Sequence, residues 1–261
     1  MTEQSSAPAV LEIEEIRVQF GGLVAVDTVS LRAEPGCITG LIGPNGAGKT
    51  TTFNACTGLV RPQHGSVRLD GKSLDRKSPS RRAQAGLGRT FQQMELCETM
   101  SVRDNVAIGH EAREAGRRMF GQLRASRNER SRSEAVADSA LEQCGISHLA
   151  ASEAGDLSTG QQRLVEIARA IAGRFRFLLL DEPSSGLDEA ETQAFGAVLR
   201  DVIARDGIGI LLVEHDMSLV RNICEYIYVL DFGKLIFGGP TADALSADIV
   251  RAAYLGSEEV A

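Results

Sequence analysis

The run GPNGAGKT at residues 43–50 has the composition and spacing of a phosphate cradle, G-x-x-x-x-G-K-[ST]. It follows an apolar strand, CITGLIG, and opens a helix, which is the setting that chemistry needs. Gly43, Gly46 and Gly48 let the backbone curl until successive N–H groups point inward as an anion nest, with Pro44, Asn45 and Ala47 completing the loop. The helix from Lys49 onward adds the positive end of its dipole. Lys49 is expected to reach the β- and γ-phosphates of a nucleoside triphosphate and so to act in its hydrolysis. Thr50 is expected to ligate Mg²⁺, with Thr51 beside it at the nucleotide.

A second run, FLLLDEP at 177–183, ends an apolar strand in two carboxylates. In open α/β sheets, ligands bind beyond the carboxyl ends of the strands. Asp181 is therefore expected to hold the Mg²⁺ ion through water, and Glu182 to orient or deprotonate an attacking water. His215 closes another apolar strand, ILLVEHD. A strand-end histidine is commonly structural, but at this sheet edge it is also placed to contact the γ-phosphate and sense hydrolysis. Gln92, in GRTFQQ, offers a neutral amide to Mg²⁺ or water, and Gln93 next to it offers the same.

The third run, LSTGQQRLVEIARAIAG at 157–173, begins polar and becomes an amphipathic helix. Ser158 alone reads as an N-cap. Ser158 with Gly160, Gln161 and Gln162, all at the positive end of a helix, reads as a second anion site. One triphosphate loop already stands more than a hundred residues earlier. The second site is therefore expected to serve a nucleotide held by another copy of the same kind of domain.

These residues need a frame. LEIEEIRVQF and VDTVSLRA read as strands, and a helix follows the loop from Lys49 to about Gly58. GSVRLDGKSL reads as a strand running into an Asp-Gly turn, and FRFLLLDEP, GIGILLVEHD and EYIYVLDFGK as further strands. Helical stretches at 189–205 and 217–224 alternate with them, which implies a parallel sheet covered on both faces. Between residues 109 and 134 arginines outnumber acids, as in an inserted, basic, mostly helical arm. That arm is either a solvated face or a contact for a partner or lipid headgroup.

The net charge of −7 argues against a nucleic-acid-binding surface. Cys37, Cys56, Cys97, Cys144 and Cys224 are scattered without a CxxC pair and read as buried thiols in a reducing compartment. The first ten residues lack a signal-peptide pattern and read as a disordered lead. No apolar run reaches the roughly 18 residues that span a bilayer, so a cytoplasmic chain that meets the membrane through a partner is expected.

Taken together, GPNGAGKT, Gln92, LSTGQQR at 157–163, LLLDEP, SGLD at 185–188 and His215 resemble the ATP-binding-cassette (ABC) ATPases in motif and order. Phe20 stands at the position of the aromatic that stacks on adenine in that family. The resemblance implies ATP and Mg²⁺ as cofactors. It also implies an α/β fold: a phosphate-loop NTPase with a mostly parallel sheet, an N-terminal antiparallel β subdomain and a helical signature subdomain. One such domain would occupy 11–256, with a helical lobe at about 93–172 and a tail at 257–261. Two domains would pair head to tail, each ATP lying between one chain's 43–50 loop and the other's 157–163 segment.

FGGLVAVDTVSL, GRTFQ, VEHDM, the inserted arm and the terminal AAYLG narrow the resemblance to subunits of branched-chain amino-acid uptake systems. That implies membrane permease subunits, a second ATPase subunit and an extracytoplasmic solute-binding protein as partners. It also implies a peripheral position on the inner face of the membrane. Thr159 and Asp188 depart from residues common in that group, Tyr and Asn. The alternatives are a soluble ABC ATPase acting on ribosomes or nucleic acid, and the ATPase of an exporter.

Overall fold

Strand β1 (Leu11–Phe20) buries Leu11, Ile13, Ile16 and Val18, with exposed residues among them, as a strand with one covered face should. It pairs antiparallel with β2 (Leu23–Ala33) on one side and β4 (His64–Leu69) on the other, and β5 (Lys72–Ser73) completes this four-stranded sheet. By contrast β3 (Ile38–Ile42), β7 (Phe177–Asp181) and β8 (Gly209–Val213) are buried at every position. They lie inside a six-stranded sheet of order β10-β9-β3-β8-β7-β6, with β6 spanning Leu87–Arg89, β9 Tyr226–Asp231 and β10 Lys234–Pro240. All its pairings are parallel except β9 with β10.

The computed structural model describes residues 9–90, 96–117 and 127–258, which form two units. The first holds both sheets: the described residues up to Arg89, Arg176–Glu182, and those from Ile203 onward. Helix α1 (Lys49–Thr57) belongs to it, as do α2 (Pro79–Gln84), α7 (Met217–Ile223), α8 (Thr241–Ser246) and α9 (Asp248–Glu258). Its core joins Val26, Val29 and Leu31 of β2 and Phe53, Ala55 and Cys56 of α1 to Leu41, Leu179, Leu211 and Val213.

The second unit comprises the described residues of Thr90–Phe175 and Pro183–Val202. Helices α3 (Val102–Arg117), α4 (Arg127–Gln143) and α5 (Thr159–Ala172) pack together over Val102, Val106, Leu141, Val165 and Ala168. Helix α6 (Glu189–Asp206) starts in this unit.

The antiparallel and parallel sheets appear as the resemblance implied. Other expectations need correction. EYIYVLDFGK is not one strand: the chain turns at Phe232-Gly233, both with positive φ, and returns as β10. Ala9 is fully buried and the Val10 carbonyl accepts from the Asp70 N–H at 2.7 Å, so the fold begins before residue 11; residues 1–8 of the expected lead lie outside the described residues. Cys56, Cys144 and Cys224 are buried, but Cys37 is half-buried and Cys97 exposed. The flanks of the basic arm are helical, and residues 118–126 at its centre lie outside the described residues. Tail residues 257 and 258 end α9, and 259–261 lie outside the description.

Candidate functional site

Sheet register collects the chemistry at one edge. Leu41 of β3 pairs with Val213 of β8, and Val213 pairs with Asp181 of β7. The phosphate loop, Glu214-His215 and Glu182 therefore all begin within two residues of one row across the sheet. Strands with no exposed position bring their charged residues only where the strand stops.

Between β3 and α1 the loop turns on Gly43, Gly46 and Gly48, with φ of 146°, 80° and 101°. Two of them also have no room for a side chain. A Cβ on Gly43 would lie 2.1 Å from the Leu230 carbonyl oxygen, and one on Gly48 2.5 Å from that of Ala25. Asn45, Gly46 and Thr50 are exposed, and Ala47 is buried. The Ala47 carbonyl accepts from the Gly233 N–H at 3.0 Å, which clasps the loop to the β9–β10 turn.

Lys49 is buried, and its Nζ donates to the carbonyls of Gly43 (2.7 Å) and Pro44 (3.0 Å). Burial pulls its ammonium below the ordinary lysine value, opposed by the charges of Glu182 and Asp181. The three expected residues thus share one electrostatic neighbourhood. Thr52 spends its hydroxyl on the Gly48 carbonyl at 3.0 Å, which leaves Thr50 as the exposed hydroxyl of the first turn of α1.

Asp181 is 2% exposed, and burial pushes its carboxyl above the usual range, opposed by Arg89. Arg89 Nη2 donates to Asp181 Oδ2 at 2.7 Å and Nη1 to Asn54 Oδ1 of α1 at 2.6 Å. Sequence reasoning missed Arg89, because no local motif marks a pairing across 92 positions. Glu182 takes a left-handed backbone (φ 48°), held there by its N–H donating to the Val213 carbonyl at 2.8 Å.

His215 is exposed beyond β8, while the preceding Glu214 is fully buried and its Oε2 accepts from the His215 N–H at 3.1 Å. Phe20, at the end of β1, is 51% exposed, an aromatic face available to a planar ligand. Gln92 and Gln93 lie outside the described residues.

Ser158, Gly160 and Gln161 lie in the second unit. Ser158 caps α5: its Oγ accepts from the Gln161 N–H at 3.3 Å, and the Gln161 side chain accepts from the Ser158 N–H at 3.0 Å. This reciprocal capping box explains Gln161 without any ligand. Gln162 donates to the Ala154 carbonyl at 2.9 Å. A Cβ on Gly160 would stand 2.8 Å from Glu191 Oε1, so the close approach Gly160 permits within this chain is to Glu191. Ser158 is exposed at the N-terminal, positive end of α5.

A phosphate loop after a central parallel strand, with carboxylates on the neighbouring strand ends, defines a phosphate-loop nucleoside triphosphatase. The particular kind follows from comparison. The family model described as "ABC transporter" matches residues 26–185. The chain belongs to this family, and as such it is an ATP-binding, ATP-hydrolysing domain.

It is 37% identical over 250 residues to the high-affinity branched-chain amino acid transport ATP-binding protein BraF of Pseudomonas aeruginosa, covering 95% of this chain and 98% of that one. The LivG protein of Escherichia coli K12, of the same description, gives the same figures. Among solved structures, the ADP conformation of an ATP-binding cassette of an ABC transporter superposes with a TM-score of 0.84 at 30% identity. It covers 96% of this chain and 100% of that one.

Proposed function

We propose that this chain is the ATP-hydrolysing, energy-coupling subunit of an importer for branched-chain amino acids or a related small polar solute. The observation that carries the proposal is the near full-length likeness to BraF. Its partners are then membrane permease subunits, a second ATPase subunit and an extracytoplasmic solute-binding protein. Among the described residues no helix is long and apolar enough to cross a membrane. Attachment to the inner membrane face is through those permeases.

In this reading the loop 43–48 wraps the phosphates with its N–H groups, and Lys49 leaves the Gly43 and Pro44 carbonyls to meet the β- and γ-phosphates. Phe20 stacks on adenine. A hydroxyl and a buried carboxylate, Thr50 and Asp181, are hard oxygen donors suited to Mg²⁺. No cluster of three or more His, Cys, Asp or Glu able to hold a metal occurs among the described residues. Bound there, Mg²⁺ neutralises phosphate charge. Gln92, outside the described residues, keeps the role the resemblance implies for it, a neutral amide for Mg²⁺ or water.

Glu182 orients the attacking water and accepts its proton. His215 contacts the γ-phosphate and reports its loss. Ser158 and Gly160 act on the ATP of the partner ATPase subunit, so binding closes the pair and hydrolysis reopens it.

Affinity purification from detergent-solubilised membranes tests the proposal. The expected co-purifying set is a pair of integral-membrane permeases and a second cassette. Recovery with ribosomes, or with the membrane components of an exporter, overturns it.

A further inference from the structure

Arg89 has the geometry of a bracket. It is the last residue of β6, opposite Leu179 of β7, and its side chain is 8% exposed. One guanidinium nitrogen, Nη1, donates to Asn54 Oδ1 at 2.6 Å and reaches Thr57 Oγ1 at 3.4 Å, both on α1. The other, Nη2, donates to Asp181 Oδ2 at 2.7 Å. The guanidinium carbon lies 5.8 Å from the Phe53 ring centroid, a cation–π distance. The helix that begins at the phosphate loop and the carboxylate that ends β7 are thus joined through one planar, always charged group.

The geometry points to Arg89 as a positioning residue of the ATPase site. By engaging Oδ2, it fixes the rotamer of Asp181 and directs the other oxygen, Oδ1, to the metal of the bound nucleotide. Its second arm, on Asn54, references that position to the helix whose first turn carries Lys49 and Thr50. The inference rests on the reading of Asp181 as the metal carboxylate. An ammonium keeps the charge but cannot make two divergent, coplanar bonds, so lysine is not equivalent here. Partners that orient metal ligands typically change metal affinity by roughly 10–100-fold when replaced.

The test is the Mg²⁺ enhancement of nucleotide affinity in the full chain, read with a fluorescent, hydrolysis-resistant ATP analogue in EDTA and in saturating Mg²⁺. Arg89→Lys is expected to lower the enhancement about tenfold while leaving affinity in EDTA within about twofold. Asp181→Asn is expected to remove most of the enhancement, and Arg89→Lys added to it should lose nothing further, since one residue acts through the other. Arg89→Lys with an enhancement like that of the parent, or additive losses in the double variant, overturns the inference. An unchanged enhancement in Asp181→Asn alone overturns the metal reading beneath it, which separates the two failures. If Arg89→Lys does not fold, Asn54→Ala carries the test. It leaves the buried ion pair intact and frees one arm of the bracket, with a loss of about threefold expected and an unchanged enhancement overturning the inference.

Discussion

Glu182 is the place to set backbone strain against catalysis. Its φ of 48° is unusual for a residue with a side chain, and the 2.8 Å bond from its N–H to the Val213 carbonyl ties that backbone to the sheet. A left-handed conformation costs an L-residue about 1–2 kcal/mol, which glycine avoids. In ordinary backbone, glycine is instead worse than alanine by roughly 0.5–1 kcal/mol.

The sign of the glycine–alanine difference therefore reports the conformation. Glu182→Ala and Glu182→Gly both delete the charge beside Asp181, so that effect cancels between them. We expect Glu182→Gly to be more stable than Glu182→Ala by about 1 kcal/mol, a midpoint about 2–4 °C higher in thermal unfolding. Both variants, and Glu182→Gln, should lose roughly 10²–10⁴-fold in turnover while still binding ATP. A glycine variant that melts at or below the alanine variant refutes the strained backbone, and near-normal hydrolysis in Glu182→Gln refutes the catalytic assignment.

Lys49→Ala removes the ammonium now held by the Gly43 and Pro44 carbonyls, so nucleotide affinity itself should fall, in contrast to Glu182→Gln; titration with a fluorescent ATP analogue distinguishes them. Ser158→Asp keeps a side-chain acceptor for the Gln161 N–H, so unfolding midpoints should stay close to the parent. The same change sets a negative charge toward the partner's γ-phosphate. In a Glu182→Gln background it should abolish an ATP-dependent dimer on size exclusion, and a persisting dimer removes Ser158 from that role. A thiol reagent should modify Cys97 first. Cys56, buried and with its thiol pushed up to about 12, should react only on unfolding, as mass spectrometry of modified peptides can establish.

The parts most legible in sequence were those whose chemistry is local. A glycine loop needs its glycines adjacent, and strands buried on both faces announce themselves as apolar runs, so GPNGAGKT and FLLLDEP could be placed without a structure. The β9–β10 hairpin was not legible, because Phe232 sits at its turn with φ 42° where an Asn-Gly or Gly-Gly would have signalled the reversal. Arg89 escaped because its partners, Asn54 and Asp181, are distant in sequence and meet only in the folded sheet. For Gln161 the signal was present: Ser158 and Gln161 have the spacing of a capping box, and the glutamine's bond is to its own helix.

The position of β3 also bears on how the protein is made. The strand that launches the phosphate loop is flanked in the sheet by β8 and β9, neither of which exists until the ribosome has added about 165 residues more. At 5–20 residues per second, that is on the order of 10–30 s during which a strand that ends up buried at every position has no sheet neighbours. The nascent chain therefore leaves both edges of this strand unpaired well before it can close them, and folding of the phosphate site is a late event in synthesis.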